Sequence, residues 1–281
     1  MITAVLYGIL SMLGYGLSSA IAQKPIRALG SIKAIFYRNI IISIVLFIVL
    51  LFQLPETISA QHIALAFAIA FLGYIPFVTF FKGLGTGKIG VVVPISNSAV
   101  IVTVLLSLTF LNETLTKLQA GAIALIVIGI ILTSINFKDF KKSHLFHLHS
   151  GVPYALITCI LWGVFWFVWK HPVTLLGPFF SAFIQELSMV IYSGVHLKLL
   201  KQNYKWSHTK TFIIMGILAA AGTLFFNLGL QTGPVSIVAP LVFANALVST
   251  LYSRIIYKEK LSTTQYVAAA LIIVGIVLVS L

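Results

Sequence analysis

Acidic residues are nearly missing from this chain: it has five Asp and Glu among 281 residues, one cysteine, and 8% charged residues in all. A soluble domain carries roughly 25% charged residues, so this composition cannot clothe a water-exposed globule. The lone cysteine, Cys159, lies in an apolar run and excludes both a disulfide frame and a Cys-x-x-Cys metal or redox site. Five carboxylates leave little material for paired acid–base catalysis, and neither His-Glu-x-x-His nor Gly-x-Ser-x-Gly occurs. The expectation is a protein that is not an enzyme and calls for no cofactor and no metal ion. The 18 Lys and Arg give a net charge of +13 but are scattered over short connections, so no basic domain is offered to nucleic acid.

What the sequence has instead is apolar length, with 60% hydrophobic residues and a mean hydropathy of +1.10. A bilayer core about 30 Å thick takes ~20 apolar residues per helix. Apolar stretches at 2–22, 34–54, 62–81, 89–111, 118–136, 151–169, 178–198, 211–230, 235–256 and 263–281 predict an all-α integral membrane protein with ten transmembrane helices. The first stretch has no basic residue ahead of it and reads as a retained helix, not a signal peptide. All but two of the 18 basic residues, Lys117 and Lys170, fall at odd-numbered connections. Basic loops are retained in the cytoplasm. The charge pattern therefore predicts a multi-pass protein of the cytoplasmic (inner) membrane with both termini on the non-cytoplasmic side. Lys82 to Lys88 resembles a phosphate loop only superficially, since the Gly-x4-Gly-Lys-[Ser/Thr] spacing is missing. His144, His147 and His149 have no acidic or Cys partners nearby and read as part of a solvated loop.

The chain also resembles itself. A displacement of 147 residues carries Tyr7 to Ser11 onto Tyr154 to Thr158, Gly16 onto Gly163 and Pro25 onto Pro172. A displacement of 146 carries Gly87, Pro94, Glu113, Leu115, Gln119 and Gly129 onto Gly233, Pro240, Glu259, Leu261, Gln265 and Gly275. Residues 1–136 and 151–281 thus read as two five-helix repeats joined by the basic linker 137–150. Five is odd, so the second copy is expected to cross the membrane inverted, the arrangement that lets secondary transporters alternate a central site between faces. The Gly-x6-Pro of the fourth and ninth spans, followed in each half by Glu-x-Leu-[Ser/Thr]-x-x-Gln (Glu113 to Gln119, Glu259 to Gln265), resembles the drug/metabolite transporter superfamily, specifically its ten-helix EamA-like members. That resemblance implies a secondary carrier for small metabolites, often an exporter of amino acids or related compounds, with a central cavity between two four-helix groups. Locally, Thr116 with Gln119 and Ser262 with Gln265 each fit a capping box. Glu259, among Arg254, Lys258 and Lys260, reads as an interfacial ion-pair partner.

Four acidic residues map to connections; Glu186 alone maps inside a span. Eight residues from Pro178 at 1.5 Å each place it roughly 12 Å deep, where an ionised carboxylate needs protein, water or a partner. It is therefore the candidate for proton coupling and for contact with a substrate amine. The repeat puts Arg38 opposite Gln185 and Asn39 opposite Glu186. Arg38 is read either as a carboxylate ligand, which with Glu186 suits a zwitterion, or as a side chain snorkelling to headgroups. Tyr7, Ser11 and Tyr15 share one face of the first helix, and Tyr154, Thr158 and Trp162 share the matching face of the sixth. Tyr7, Ser11, Tyr15, Thr158 and Trp162 are therefore candidate cavity residues, with interhelical bonding as the competing role. Trp166 and Trp169 are expected in an interfacial belt. Pro94 and Pro240 are candidate hinges, and Asn97, Asn245, Asn227 and Tyr74 complete the candidate ligands. The expected function is alternating-access transport of an amino-acid-like or aromatic metabolite, coupled to protons or by passive exchange. Flipping of a lipid-linked substrate and, behind it, intramembrane catalysis are the alternatives. The expected partners are a small molecule, the lipid bilayer and H+; oligomeric state is not legible.

Overall fold

The computed structural model describes residues 1–22, 25, 28–54, 59–86, 89–134, 151–203, 208–256, 258 and 261–281. Among the described residues there is no strand. The helices are α1 (Ile2–Ile21), α2 (Ser31–Leu50), α3 (Ala60–Thr86), α4 (Ile89–Asn97), α5 (Ala99–Phe110), α6 (Lys117–Ser134), α7 (Val152–Val168), α8 (Lys170–Leu176), α9 (Pro178–Leu199), α10 (Thr209–Thr232), α11 (Val235–Phe243), α12 (Asn245–Ile256) and α13 (Thr263–Ser280). Eight described segments are long and apolar enough to cross a membrane: α1, α2, α3, α4 with α5, α7 with α8, α10, α11 with α12, and α13. Lys117–Thr133 of α6 is apolar but shorter. With 22 residues α9 has the length, but Gln185, Glu186, His196 and Lys198 keep it out of the apolar set.

Proline sets several of the helix ends. Its ring clashes with the carbonyl four residues back and it has no N–H to donate. Pro172 follows Val168, the last residue of α7, by four, and Pro25 follows Ile21, the last of α1, by the same four. After each comes a glycine, Gly30 (φ +81°) and Gly177 (φ +76°), both with ψ at 162°. That region is essentially closed to residues with a Cβ, and α2 and α9 start from it. Pro94 and Pro240 lie inside α4 and α11, which end three residues later at Asn97 and Phe243, leaving breaks at Ser98 and Ala244. There Ser98 Oγ donates to Pro94 O at 2.9 Å, and the Ala244 amide to Pro240 O at 3.0 Å. Both capping boxes form: the Thr116 amide donates to Gln119 Oε1 and the Gln119 amide to Thr116 Oγ1, and Ser262 with Gln265 does the same.

Helices α1 and α10 pack along each other, as do α3 and α7, α2 and α9, and α6 and α13; α1 also touches α11 and α12, and α7 touches α4 and α5. Lipid gives helices no hydrophobic reason to associate, so close backbone approach and interhelical hydrogen bonds do the work. A Cβ on Gly16 would lie 2.8 Å from Asn245 O and against Val248; one on Gly163 would lie 3.0 Å from Ala99 O and against Val102. A Cβ on Gly129 would meet Ile272 Cγ1 at 2.6 Å and Ala268 O at 2.9 Å, and one on Gly275 would meet Ile126 Cγ1 at 2.6 Å and Ala122 O at 2.7 Å. In each case the second contact is the first carried forward and exchanged between the two displaced segments.

The sixth span differs from its sequence boundary. Hydropathy ends it at Trp169 because Lys170 follows, yet the apolar segment runs on to Leu176 through α8. The Lys170 ammonium donates to the carbonyls of Leu230 and, at 3.1 Å, Gly233, where α10 ends. A cation that closes a helix C-terminus is stabilised there, so this charge does not end the apolar segment.

Candidate functional site

Glu186 points into the protein and is only 4% exposed. Its Oε1 accepts a hydrogen bond of 2.6 Å from Thr223 Oγ1 of α10, which is fully buried. Thr223 Oγ1 lies 2.8 Å from Tyr15 Oη of α1, so three helices meet at one hydroxyl. Arg38 of α2 is close enough to act electrostatically on Glu186, while its Nη1 donates to the adjacent Asn39 Oδ1 at 3.1 Å. This is a buried carboxyl group with one neutral donor and a guanidinium within electrostatic reach. In a low-dielectric setting a small change in what faces it changes whether it carries a proton.

One turn further along α10, Asn227 ties α7 and α9 to the same region. Trp169 Nε1 donates to Asn227 Oδ1 at 3.0 Å, and the Ser181 hydroxyl lies 3.0 Å from the same oxygen. Asn227 Nδ2 donates to Thr223 O at 2.8 Å and to Gln185 Oε1 at 3.4 Å. Both hydrogens of this amide are thus given to the protein and its oxygen receives the indole N–H, which makes Asn227 a scaffold node and not an open ligand.

Trp166 and Trp169 pack against other parts of the protein. Trp169 is fully buried, and Trp166 sits between Phe226 (centroids 4.4 Å apart), Phe165 (5.5 Å), Phe243 (5.8 Å) and Tyr15 (6.5 Å). A lipid-exposed belt is not what this packing gives for Trp169, and the apolar segment continues past both rings to Leu176. Trp166 also continues the four-residue stripe of Tyr154, Thr158 and Trp162, the signal that could have brought it into the candidate set. Thr223, one turn before Asn227 on the same face, and Gln185, next to Glu186, carried comparable signals.

The remaining candidates divide. Tyr7 stacks on Phe225 at 6.0 Å. Ser11 Oγ donates to Gly222 O at 2.8 Å, and Thr158 Oγ1 donates to Tyr154 O at 2.8 Å and lies 2.8 Å from Thr79 Oγ1, so both hydroxyls are spent on helix contacts. Trp162 packs against Phe77 and Phe80, each at 5.3 Å. Tyr74 is drawn away from Glu186: its hydroxyl lies 2.8 Å from His196 Nδ1, further along α9. Asn245 Nδ2 donates to Val242 O at 2.9 Å and so bridges the break between α11 and α12. Asn97 closes α4, half-buried.

A second charged feature lies where α10 gives way to α11. Glu113, in the connection between α5 and α6, accepts the amides of Val235 at 2.7 Å and Ser236 at 2.9 Å, the first two residues of α11. A carboxylate on free N–H groups at a helix start complements the positive end of the dipole. With Lys170 on the last carbonyls of α10, the two side chains hold the turn at Gly233 and Pro234 from either side. Among the described residues no three His, Cys, Asp or Glu gather as a metal site. Glu56, Asp139, Glu259, and the linker with His144, His147 and His149 lie outside the described residues.

Comparison with known proteins fits this architecture. A protein of known crystal structure superposes with a TM-score of 0.77 over 98% of this chain and 95% of its own, at 16% sequence identity, which shows a shared fold. Uncharacterized protein MJ1333.1 of Methanocaldococcus jannaschii is 35% identical over 136 residues, which is 48% of this chain but 98% of that protein. The family model for EamA-like transporters matches twice, at residues 2–135 and again at 149–281. The chain belongs to the EamA-like transporter family, a multi-pass membrane protein of a family that transports small molecules.

Proposed function

We propose that this protein is a secondary carrier that moves an amino-acid-like or aromatic metabolite by alternating access, with Glu186 as its proton site. The observation that carries this reading is the buried Glu186 carboxyl group, held at the junction of α1, α9 and α10 by Thr223. A group that takes up a proton from one side and releases it to the other can exchange that proton for cargo. A substrate amine faces Glu186, a substrate carboxylate faces Arg38, and Tyr7, Tyr15, Trp162 and Trp166 supply the apolar and aromatic walls. Residues 1–136 and 151–281 act as two inverted repeats linked by 137–150. The exchanged glycine contacts, Gly16 with Val248 against Gly163 with Val102, support that relation, as does the double family match. The breaks after Pro94 and Pro240 are the hinges, the membrane is the cytoplasmic one, and both termini face away from the cytoplasm.

Ligands come first from a melting-point screen of the purified protein against metabolites, since a compound that binds only the folded state raises the midpoint by mass action. Uptake and counterflow in proteoliposomes with imposed pH gradients then test the mechanism. Glu186→Gln abolishes the pH dependence of transport and leaves counterflow of the same ligand measurable. Unchanged coupling in that variant removes Glu186 from the mechanism.

A further inference from the structure

Among the described residues Glu186 has no hydrogen bond to α1, yet α1 is bonded to the group that bonds Glu186. Thr223 Oγ1 links them, at 2.6 Å from Glu186 Oε1 and 2.8 Å from Tyr15 Oη. A threonine hydroxyl has one hydrogen to give and lone pairs to receive. An ionised carboxylate only accepts, so facing one, Thr223 gives its hydrogen to Glu186 and receives the hydrogen of Tyr15. Once Glu186 carries a proton, its O–H can donate to Thr223. The Thr223 hydrogen then turns to Tyr15 Oη, and the Tyr15 hydrogen is free to point elsewhere.

We propose that Thr223 is the positioning residue that reports the charge of Glu186 on α9 to Tyr15 on α1, so that Tyr15 offers its hydrogen to a ligand acceptor only while Glu186 is protonated. The inference rests on Glu186 as the proton site and adds how that proton is felt by a different helix. Backbone packing holds the relay in place. Ser11 Oγ donates to Gly222 O at 2.8 Å, and a Cβ on Gly222 would meet the Tyr15 ring at 2.9 Å, so α1 reaches Thr223 only because a glycine precedes it. The relay also belongs to one half alone: the repeat displacements carry Tyr15 onto Trp162 and Thr223 onto Phe77, and those two rings meet edge to face at 5.3 Å. The fold thus accepts an apolar pair at the matching place, and the hydroxyl pair occurs where the carboxyl group is.

The charged and titratable groups facing the relay are few. Arg38 of α2 acts on Glu186 and on Tyr15. From α9 comes the neutral amide Gln185, which reaches Tyr15 as well as Asn227, and from α10 the neutral amide Asn227 itself. On α3, Tyr74 is bonded to His196, and on α8, Lys170 is bonded at the end of α10.

Infrared difference spectroscopy of the purified protein in lipid tests the relay without a ligand, by following the Glu186 stretch, identified as the band lost in Glu186→Gln. Tyr15→Phe is expected to shift that band although Tyr15 does not touch the carboxyl group, and to leave it unmoved in a Thr223→Val background. Thr223→Ser restores the sensitivity to Tyr15→Phe; if Thr223→Val does not fold, Thr223→Ala serves in its place. A band that Tyr15→Phe does not move, or moves equally with and without the Thr223 hydroxyl, overturns the proposal. These readouts are separate from transport: pH-independent transport tells against Glu186 as the coupling site, whereas the spectra decide the relay alone.

Discussion

Asn227 gives its two hydrogens to Thr223 and Gln185 and receives the indole N–H of Trp169 on its oxygen, beside the Ser181 hydroxyl. Asn227→Ala strands the buried indole N–H of Trp169 and removes the donor to Gln185 Oε1. Leaving buried polar groups unsatisfied costs about 1–3 kcal/mol, so the variant is expected to melt at a clearly lower temperature in detergent. A change no larger than that of a lipid-facing control, such as Ile160→Ala, contradicts the scaffold role; Ile160 is 55% exposed. At this scale the sequence is read unevenly, for a physical reason. Glu186 stands out because the cost of a charge in hydrocarbon belongs to the residue itself. The roles of Thr223, Trp169 and Asn227 come from partners on other helices, some as far off in the chain as Tyr15 from Thr223, and no local pattern announces them.

At the scale of elements, helices are legible to within a few residues because length and apolarity are local properties, although only eight described segments are long and apolar enough to cross a membrane. The exception is the sixth span, where Lys170 reads as a boundary and is instead a cap on α10. The partner clasp, Glu113 on the start of α11, was legible only as a recurrent glutamate, since its acceptor role depends on a turn that lies beyond α10. Glu113→Ala removes the acceptor for two amides at a helix start, a loss of about 0.5–2 kcal/mol by analogy with N-caps. The expected outcome is a lower melting midpoint together with faster thiol labelling of a Ser236→Cys probe, and unchanged labelling means that the clasp does not hold that end of α11. Pro25 and Pro172 ending α1 and α7 at equal distances show the opposite case, in which a covalent constraint on one residue is visible in sequence and reappears unchanged in the fold.

For the whole molecule, the excess of Lys and Arg at odd-numbered connections predicts the orientation, and reporters fused to either terminus check it: one that works only outside the cytoplasm is expected to be active at both ends. A fusion active only inside the cytoplasm reverses the assignment. Self-similarity of the chain is legible in the sequence. Which helix lies against which is not, because the pairs that matter, such as α1 with α10 and α3 with α7, bring together segments from different halves.

That crossing of partners means that what is contiguous along the gene is not what is contiguous in space. The face of α1 that holds Ser11 and Ser18 finds its acceptors, Gly222 O and Met215 O, only in the other half. A gene cut inside the linker would therefore yield two fragments that are each incomplete alone. Made together they should find one another and reconstitute the carrier, and made singly they should be degraded, which immunoblots of the separate and joint expressions would show directly.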